Sequence, residues 1–316
     1  MAVYTYITEK KLKNFLSNYN IGTLKKFKGI LEGIENTNYK IITNKNTYIL
    51  TLFEKRVKKK QLPFFINLKK HLIKKNFLCP NPIANYNNII INDLNGKSCV
   101  LISFLKGKKT NKVSSNQCKQ IGSVLSSLHL KTRNFKEKRP NEMGYKKWNS
   151  LFKKCKLHNN KYKKAISIIE NELIFLKKNW PKNLPLGIIH ADVFQDNVFF
   201  IKNKFSGLID FYFACNDYFA YDIALTVNAW CFDKKKFNKD RFMEMIKGYQ
   251  KNRKLTIKEK KVFRILLRGA SLRILLTRLH DKIFYLQEAY VKHKDPEEYL
   301  EILLFHQNKD ISGMIE

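Results

Sequence analysis

The sequence predicts an α+β protein with two lobes, a small β-rich N-terminal lobe and a larger helical C-terminal lobe. Up to about residue 102, apolar residues fall in short runs that suit strands, with one amphipathic helix among them. Beyond Gly107 the apolar residues recur mostly at helical spacing. We therefore divide the chain into an N-terminal lobe (1–102), a hinge (103–107) and a C-terminal lobe (108–316).

The N-terminal lobe contains apolar runs separated by polar turns. Leu62, Phe65, Leu68 and Leu72 lie at the three-and-four spacing of a helix, which we place at 61–75, and prolines at 80 and 82 end it. The dipeptide Asn95-Gly96 is a strong two-residue turn signal and predicts a hairpin. The predicted strands are 24–34, 38–43, 48–53, 89–91 and 98–104.

The C-terminal lobe is mostly helical, with one interruption. Apolar periodicity predicts helices at 116–130, 161–178 and 257–286, and a shorter helix at 223–230 that Asp222 opens. Between residues 184 and 213 the pattern changes to short apolar runs, at 187–189, 198–201 and 208–213. Loops between such short strands are common places for catalytic residues.

The net charge of +35 has two interpretations. A basic surface attracts nucleic acid. However, all but nine of the 61 basic residues are Lys, they are spread over the whole chain, and Asn and Ile are also abundant. Lys, Asn and Ile all have AT-rich codons, so codon bias explains this composition better than a nucleic-acid partner does.

Compartment and membrane association follow from the apolar runs and the cysteines. No apolar stretch approaches the length that spans a bilayer, and the first ten residues lack the apolar core of a signal peptide. The six cysteines form no CxxC pair. We expect reduced thiols, a cytoplasmic location and no membrane partner.

One loop carries the strongest chemical signal. In HADVFQDN (190–197), Asn197 follows Asp192 by five residues, and the apolar run Gly-Leu-Ile then ends in Asp210. This spacing is typical of protein-kinase-like phosphotransferases. Phosphoryl transfer needs a carboxylate for the acceptor hydroxyl, which suits Asp192, and oxygen ligands for Mg²⁺, which suit Asn197 and Asp210. His190 belongs to the same catalytic loop and would orient it by a hydrogen bond.

Each of these residues taken alone has an ordinary structural explanation, such as a turn, a helix cap or a strand end. The joint spacing of all four favours a kinase-like fold. Asp196 fits a structural role, and Asp222 fits a helix cap or a clamp on the loop. Walker-type, dinucleotide-binding and nucleophile-elbow motifs are absent from the sequence.

The N-terminal lobe of such a fold covers ATP. Gly33 gives the backbone freedom to approach phosphate, and Asn36 and Asn38 offer amide groups beside it. The segment from Ser103 to Leu105 joins the lobes and would supply backbone groups to the adenine.

With these residues the chain resembles the homoserine kinases of the choline-kinase and aminoglycoside-phosphotransferase-like superfamily. The HxDxxxxN motif and the later Asp are shared by the whole superfamily, whereas GIENTNY, LTLFE and DFYFACND are more specific and point to the homoserine kinase branch. The segments that carry the resemblance are GIENTNY (33–39), YILTLFE (48–54), LPFF (62–65), HADVFQDNV (190–198), LIDFYFACND (208–217), YDIALTVNAWC (221–231) and KDPEEY (294–299).

The resemblance implies ATP-dependent phosphorylation of the L-homoserine side-chain hydroxyl, a step towards threonine, with Mg²⁺ as the metal. Asp192 would be the catalytic base. One departure from the wider kinase pattern concerns the phosphate-contacting Lys, because Thr51 stands near its usual place and helix 61–75 has no Glu to pair with it. Lys55 and Arg56 are the nearby candidates for that contact, although a solvated surface also explains them.

Homoserine is a zwitterion, so its pocket needs a cation for the carboxylate and a hydrogen-bond acceptor for the ammonium group. Arg268, Arg273 and Arg278 cannot all face one way on their helix, and we choose Arg273 for the carboxylate. Asp217 and the backbone near Tyr212 are candidates for the ammonium group. Trp230 could line the pocket, although a place in the core suits it better.

Other functions remain open from the sequence alone. They are another small-molecule kinase of the superfamily, acting on choline, an aminoglycoside or a sugar, and a nucleic-acid-binding module or pseudokinase. The +35 charge disfavours a polycationic aminoglycoside, and the intact set of Asp192, Asn197 and Asp210 argues against a pseudokinase.

Overall fold

The computed structural model describes residues 3–31, 35–54, 57–157, 163–284 and 294–315. The chain divides into two compact units. The first comprises Met1–Gly107 and Ser206–Tyr212, and the second comprises Lys108–Phe205 and Phe213–Glu316. The segment 206–212 joins the first unit although it is distant in sequence, a feature that a division at residues 103–107 does not anticipate.

The first unit is built on an antiparallel five-stranded sheet in the order β1-β2-β3-β5-β4. Apolar side chains of alternate strand residues meet those of α1 to form its main core. The elements are α1 (Glu9–Leu16), β1 (Leu24–Ile30), β2 (Asn36–Thr43), β3 (Thr47–Phe53), α2 (Leu62–Lys74), β4 (Ile91–Leu94) and β5 (Lys97–Ser103).

The structure confirms the predicted order of strands and the amphipathic helix in this unit, and it corrects some bounds. The strand predicted at 89–91 instead runs from Ile91 to Leu94. Asn95 and Gly96, with positive φ values of 52° and 71°, form the turn that pairs Leu94 with Lys97. This is the tight turn that Asn-Gly favours. Helix α1, which Thr8 caps, was not predicted.

The second unit is mainly helical. β6 pairs with β9, and β7 pairs with β8, whose end from Ser206 belongs to the first unit. The elements are α3 (Ser115–Lys131), α4 (Tyr145–Leu157), α5 (Lys163–Asn179), β6 (Leu186–Ile189), β7 (Val198–Ile201), β8 (Lys204–Leu208), β9 (Cys215–Tyr218), α6 (Phe219–Trp230), β10 (Phe232–Asp233), β11 (Lys236–Phe237), α7 (Lys239–Asn252), α8 (Ile257–Lys261), α9 (Phe263–Phe284) and α10 (Pro296–Asn308).

The helical region predicted at 257–286 is formed by two helices. The chain forms α8 and α9, with a break at Val262 (φ −102°, ψ 4°). The apolar spacing continues across this break, so periodicity alone could not show it. Residues 285 and 286 lie outside the described part of the chain.

Helices α3 and α7 pack with their backbones close together. A Cβ on Gly122 would lie 2.1 Å from the carbonyl oxygen of Met245, and one on Gly248 would lie 1.9 Å from that of Lys119. Only glycine permits this approach. It brings His129 of α3 within hydrogen-bond distance of Tyr249 of α7.

The six cysteines are buried and free. Within the described residues, no helix has both the length and the apolar character that a membrane span requires.

Candidate active site

The loop after β6 is held by one buried carboxylate. Asp222 of α6 accepts hydrogen bonds from the backbone N–H groups of His190 (2.9 Å) and Ala191 (2.8 Å). Ala191 has a positive φ of 62°, which is uncommon for a residue with a Cβ. Asp222 is the fourth residue of α6 and not its cap, so the alternative of a loop clamp is confirmed.

Asp222 begins a buried hydrogen-bonded chain that crosses the second unit. His129 donates from Nε2 to Asp222 (3.0 Å) and accepts at Nδ1 from the Tyr249 hydroxyl (2.9 Å). Arg253 donates to that hydroxyl and to Glu259 (2.8 Å). Burial lowers the pKa of His129, which suits a neutral ring that bonds at both nitrogens.

Opposing effects act on the pKa of Asp222. Its complete burial raises the pKa, but the hydrogen bonds that it accepts from the His129 ring and from the N–H group of His190 outweigh burial and lower it below its ordinary value. Asp222 is therefore ionised at neutral pH and holds the loop as a charged acceptor. Charged acceptors make the stronger hydrogen bonds.

Asp192 and Asn197 are brought together at the turn of the loop. The Asn197 amide donates from Nδ2 to the Asp192 carboxylate (2.8 Å) and to the Asp192 carbonyl oxygen (2.9 Å). Asn197 thereby holds the half-buried Asp192 carboxylate in place and turns its own Oδ1 away. Within the described residues no donor reaches that oxygen, so it remains available to a cation.

His190 is fully buried, and its Nδ1 accepts a hydrogen bond from the N–H group of Asp192 (3.3 Å). The Trp230 indole donates to the carbonyl oxygen of Val193 (2.7 Å) and is also fully buried. Trp230 is thus a core residue that supports the loop and not a pocket wall. The exposed Asp196 pairs with Lys294 (2.9 Å).

Asp210 follows β8 and belongs to the first unit. Its φ is +59°, a left-handed conformation that Asp tolerates better than most residues do. Its Oδ1 accepts from the N–H group of Tyr212 at 3.4 Å. Tyr212 packs edge-on against Phe53 and Phe65, so these contacts place it in an aromatic cluster of the first unit.

Asp210 and Asn197 each carry an oxygen of the kind that Mg²⁺ prefers. Among the described residues there is no cluster of three or more His, Cys, Asp or Glu side chains that could cage a metal. Mg²⁺ in phosphotransferases needs no such cage, because one or two protein oxygens and the nucleotide phosphates suffice. The Asp210 carboxylate and the Oδ1 of Asn197 are oxygens of that type.

The candidate nucleotide residues lie on β2 and at the end of β5. Thr51 of β3 donates to the Asn38 Oδ1 (2.7 Å), where a wider kinase pattern has a Lys. The buried Asn36 has no hydrogen-bond partner for its Oδ1 among the described residues. Gly33, Lys55 and Arg56 lie outside the described residues.

At the junction after β5, part of the backbone is already engaged. Ser103 exchanges hydrogen bonds with Asn81, and the N–H group of Phe104 donates to the carbonyl oxygen of Thr47 (3.3 Å). The described residues provide no acceptor for the N–H group of Leu105. Of this segment, Leu105 is therefore the residue whose backbone N–H group has no partner in the described chain.

The three arginines of α9 have different environments. Arg268 forms a two-pronged ion pair with the buried Glu172 (2.8 and 2.6 Å), and Arg278 pairs with Glu298 (2.6 Å). Arg273, which is 3% exposed, donates to the carbonyl oxygen of Ala191. Its Nε has no partner among the described residues. Arg273 is thus the one of the three without a carboxylate partner in the described chain.

Asp217 lies in the same unit as Arg273. It accepts from the Asn141 amide (2.7 Å), and burial raises its pKa. The buried Tyr221 hydroxyl has no hydrogen-bond partner in the described chain, and burial raises its pKa. Sequence reasoning missed Asn141 and Tyr221. Tyr221 lies in YDIALTVNAWC, one of the segments that carry the family resemblance, whereas Asn141 lies in none of them.

The chain also matches known proteins. A model of the phosphotransferase enzyme family, APH, matches residues 26–249. The chain belongs to this family. The match confirms the family resemblance that HADVFQDN and Asp210 predicted. It also confirms that the protein is a phosphotransferase.

Among curated relatives, a homoserine kinase from Agrobacterium fabrum is 44% identical over 309 residues, which cover 97% of this chain and 96% of that protein. A homoserine kinase from Rhizobium meliloti is 43% identical with 97% and 95% coverage. The similarity therefore runs through both units.

Solved structures confirm the kinase-like fold. An amicoumacin kinase superposes with a TM-score of 0.72 at 13% identity, covering 96% of this chain and 93% of that one. A spectinomycin phosphotransferase gives 0.69 at 14% identity, with 96% and 100% coverage. An ethanolamine kinase from Plasmodium vivax gives 0.64 at 14% identity, with 97% and 92% coverage.

Proposed function

We propose that the protein transfers the γ-phosphate of ATP to the side-chain hydroxyl of L-homoserine, which gives O-phospho-L-homoserine for threonine biosynthesis in the cytoplasm. The observation that carries this proposal is similarity to homoserine kinases at 42–45% identity over 97% of the chain. The geometry of the loop at 190–197 supports the chemical step.

Asp192 is the base in this proposal. Its carboxylate, held by Asn197 and by the backbone turn, accepts the hydroxyl proton as the phosphate is transferred. His190 orients Asp192 through the bond to its N–H group. Asn197 and Asp210 are the proposed Mg²⁺ ligands, and the ion when bound would neutralise charge on the phosphates.

ATP binding is assigned to neutral groups. Asn36 and Asn38, together with Gly33, would face the phosphates, and Leu105 would meet the adenine, with Ser103 shaping the turn. The N–H group of Leu105, which has no acceptor among the described residues, supports the adenine contact. Such positioning, with charge neutralisation, supplies most of the catalysis in phosphoryl transfer.

The acceptor site is assigned to the second unit. Arg273 would bind the carboxylate of homoserine through its unpartnered Nε, and Asp217 would bind the ammonium group. A cation beside Asp217 would favour its ionised form and offset the effect of burial. Tyr212 is the third proposed acceptor residue, through its backbone.

The experiment is an acceptor panel with ATP and Mg²⁺. L-Homoserine is compared with 4-hydroxybutyrate, which lacks the ammonium group, and with 3-aminopropan-1-ol, which lacks the carboxylate. L-Serine, L-threonine, choline and kanamycin complete the panel. We expect strong turnover of L-homoserine and at least a roughly hundredfold loss of kcat/KM for either truncated analogue, because buried polar partners are left unpaired. Preferred turnover of choline or kanamycin would contradict the proposal.

A further inference from the structure

The half-buried Asp217 carboxylate of β9 is held by neutral donors. Its Oδ2 accepts from the side-chain amide of Asn141 (2.7 Å), and its Oδ1 accepts from the N–H group of Tyr218 (2.8 Å). Among the described residues, no cation lies within ion-pair distance of this carboxylate. Burial raises the pKa of Asp217, and the bond from Asn141 opposes the rise. A carboxylate that is partly withdrawn from water without a paired cation suits a cationic ligand.

The Asn141 amide is oriented by its own chain. Its Oδ1 accepts from the N–H group of Met143 (2.9 Å), which is the turn that Asn commonly forms with the residue two positions further on. The Nδ2 of the same amide then points to the Asp217 Oδ2. Because one end of the amide is fixed in this way, the donor cannot rotate away from Asp217 without breaking the bond to Met143.

The chain on both sides of this turn is anchored in the second unit. The carbonyl oxygen of Met143 accepts from the indole of Trp148 (2.9 Å), a side chain that is buried in the core. Before the turn, the N–H group of Asn216 donates to the Arg139 carbonyl oxygen (2.7 Å), and the N–H group of Arg139 donates to the Asn216 Oδ1 (2.8 Å). The position of Asn141 is therefore set by contacts other than its own bond to the carboxylate.

The cation of this segment is directed elsewhere. The Arg139 guanidinium pairs with Glu142 (2.7 Å) and donates to the carbonyl oxygen of Ala214 (3.2 Å). A neutral amide, by contrast, holds a carboxylate without cancelling its charge. An ionised carboxylate accepts about four hydrogen bonds, and the donors of Asn141 and Tyr218 use only part of this capacity. The remainder suits an ammonium group, which donates and does not accept.

We propose that Asn141 is a positioning residue: its amide holds the Asp217 carboxylate in the orientation that binds an ammonium group, and so makes the site select acceptors that carry one. This inference rests on the proposed function, which assigns Asp217 to the ammonium group of L-homoserine. It extends the acceptor site to the connection between α3 and α4, which contains none of the segments that carry the family resemblance.

The test compares L-homoserine with 4-hydroxybutyrate, which lacks the ammonium group, in the unaltered chain and in Asn141→Ser. Ser keeps an acceptor for the N–H group of Met143 but is too short to donate to Asp217. We expect kcat/KM for L-homoserine to fall by about tenfold, because a hydrogen bond to a charged group is lost. For 4-hydroxybutyrate kcat/KM should stay within about twofold, as should KM for ATP, since neither ligand brings an ammonium group.

The matched control is Asn134→Ser, at an exposed asparagine of the same connection, which should behave like the unaltered chain. If Asn141→Ser does not fold, Asn141→Ala provides the same comparison. An equal loss of kcat/KM for both acceptors would overturn the proposal, because it would make Asn141 a structural residue only. An unchanged preference for L-homoserine over 4-hydroxybutyrate would also overturn it.

Asp217→Asn separates this inference from the acceptor assignment. This variant lacks the charge that attracts the ammonium group, so it should lose most of the preference for L-homoserine, and Asn141→Ser should then have little further effect. A preference retained in Asp217→Asn would contradict the assignment of Asp217 and the inference with it. A preference lost in Asp217→Asn but kept in Asn141→Ser would overturn the inference alone.

Discussion

The loop at 190–197 and the strand pair β2–β3 organise their polar groups in different ways. In the loop, a charged buried acceptor holds the backbone, and Asn197 fixes Asp192. In β2 and β3, Thr51 donates to the Oδ1 of Asn38, the Asn38 amide donates to the carbonyl oxygen of Asn36, and the Asn36 Oδ1 has no partner among the described residues. A buried charged acceptor therefore holds the loop, whereas neutral hydrogen bonds join Thr51, Asn38 and Asn36 in the strands.

This difference suits the two tasks in phosphoryl transfer. A base must be held in place to act in the transition state, since small errors of position are costly. In a nucleotide site, by contrast, the side chains can adopt their final positions when the nucleotide binds. We therefore expect substitutions in and around the loop to have larger effects than those in the strands.

The largest expected effect is on Asp192. Asp192→Asn removes the proton acceptor, so kcat should fall by about 10³-fold while ADP affinity remains within a few fold. Steady-state rates and calorimetry measure the two quantities. Asp196→Asn is the matched control, because this exposed residue contacts Lys294 only through a surface ion pair. Equal losses in both variants would count against Asp192 as the base.

The second-largest effect is expected for Asp222, whose carboxylate holds the backbone of the loop. Asp222→Ala leaves two buried N–H groups and the His129 ring without their acceptor. We expect the free energy of unfolding to fall by about 3 kcal/mol, as for other broken buried charge networks. Urea denaturation measures it. A loss well under 1 kcal/mol would mean that other groups hold the loop.

Arg273 tests the acceptor site. Arg273→Lys keeps the charge but loses the planar fork, so KM for L-homoserine should rise by about tenfold with little change in KM for ATP. Arg268→Lys on the same helix is the control and should lower stability without this change in KM. If Arg268→Lys alters KM as much, Arg273 has no special role.

Acid should weaken the second unit through His306. Burial lowers the pKa of His306 from 6.5 to about 3, so the folded state keeps the ring neutral where the unfolded chain protonates it. Its contribution to stability is complete above pH 6.5 and is lost as pH falls towards 3, by up to about 1.4 kcal/mol per pH unit. Urea denaturation at several pH values measures this slope, and His306→Gln should flatten it. An equal slope in that variant would assign the acid sensitivity to other groups.

The smallest effect on activity is expected for a substitution in β2 or β3. Thr51→Val removes the hydroxyl that bonds Asn38, which should cost about 1 kcal/mol of unfolding free energy and raise KM for ATP by only a few fold. Thermal denaturation and steady-state kinetics measure both. A loss of activity as large as that of Asp192→Asn would abolish the contrast between the two regions.

Much of the fold and the centre of the site could be predicted because the signals are local. Apolar spacing located α2 and α3, and Asn95-Gly96 located a hairpin. The spacing of Asp192 and Asn197 within one loop also predicted their proximity, because five residues cannot separate them far. The break at Val262 escaped prediction because the apolar pattern is the same in one helix or two.

The features that the sequence could not predict depend on contacts between residues that are far apart along the chain. Arg273 donates to the carbonyl oxygen of Ala191, 82 positions away in the sequence, and nothing near either residue indicates the other. The hydrogen bond from Asn141 to Asp217 and the chain from His129 to Glu259 are of the same kind. Arg268 and Arg273 look alike in the sequence, and only the position of Glu172 distinguishes them.

The most direct test of the central claim identifies the product. The protein is incubated with ATP, Mg²⁺ and L-homoserine, and phosphorus–proton correlation in the NMR spectrum locates the new phosphate. We expect coupling to the side-chain methylene next to the hydroxyl, and no product with Asp192→Asn. Phosphate on another group, or product formed equally well without the Asp192 carboxylate, would contradict the account.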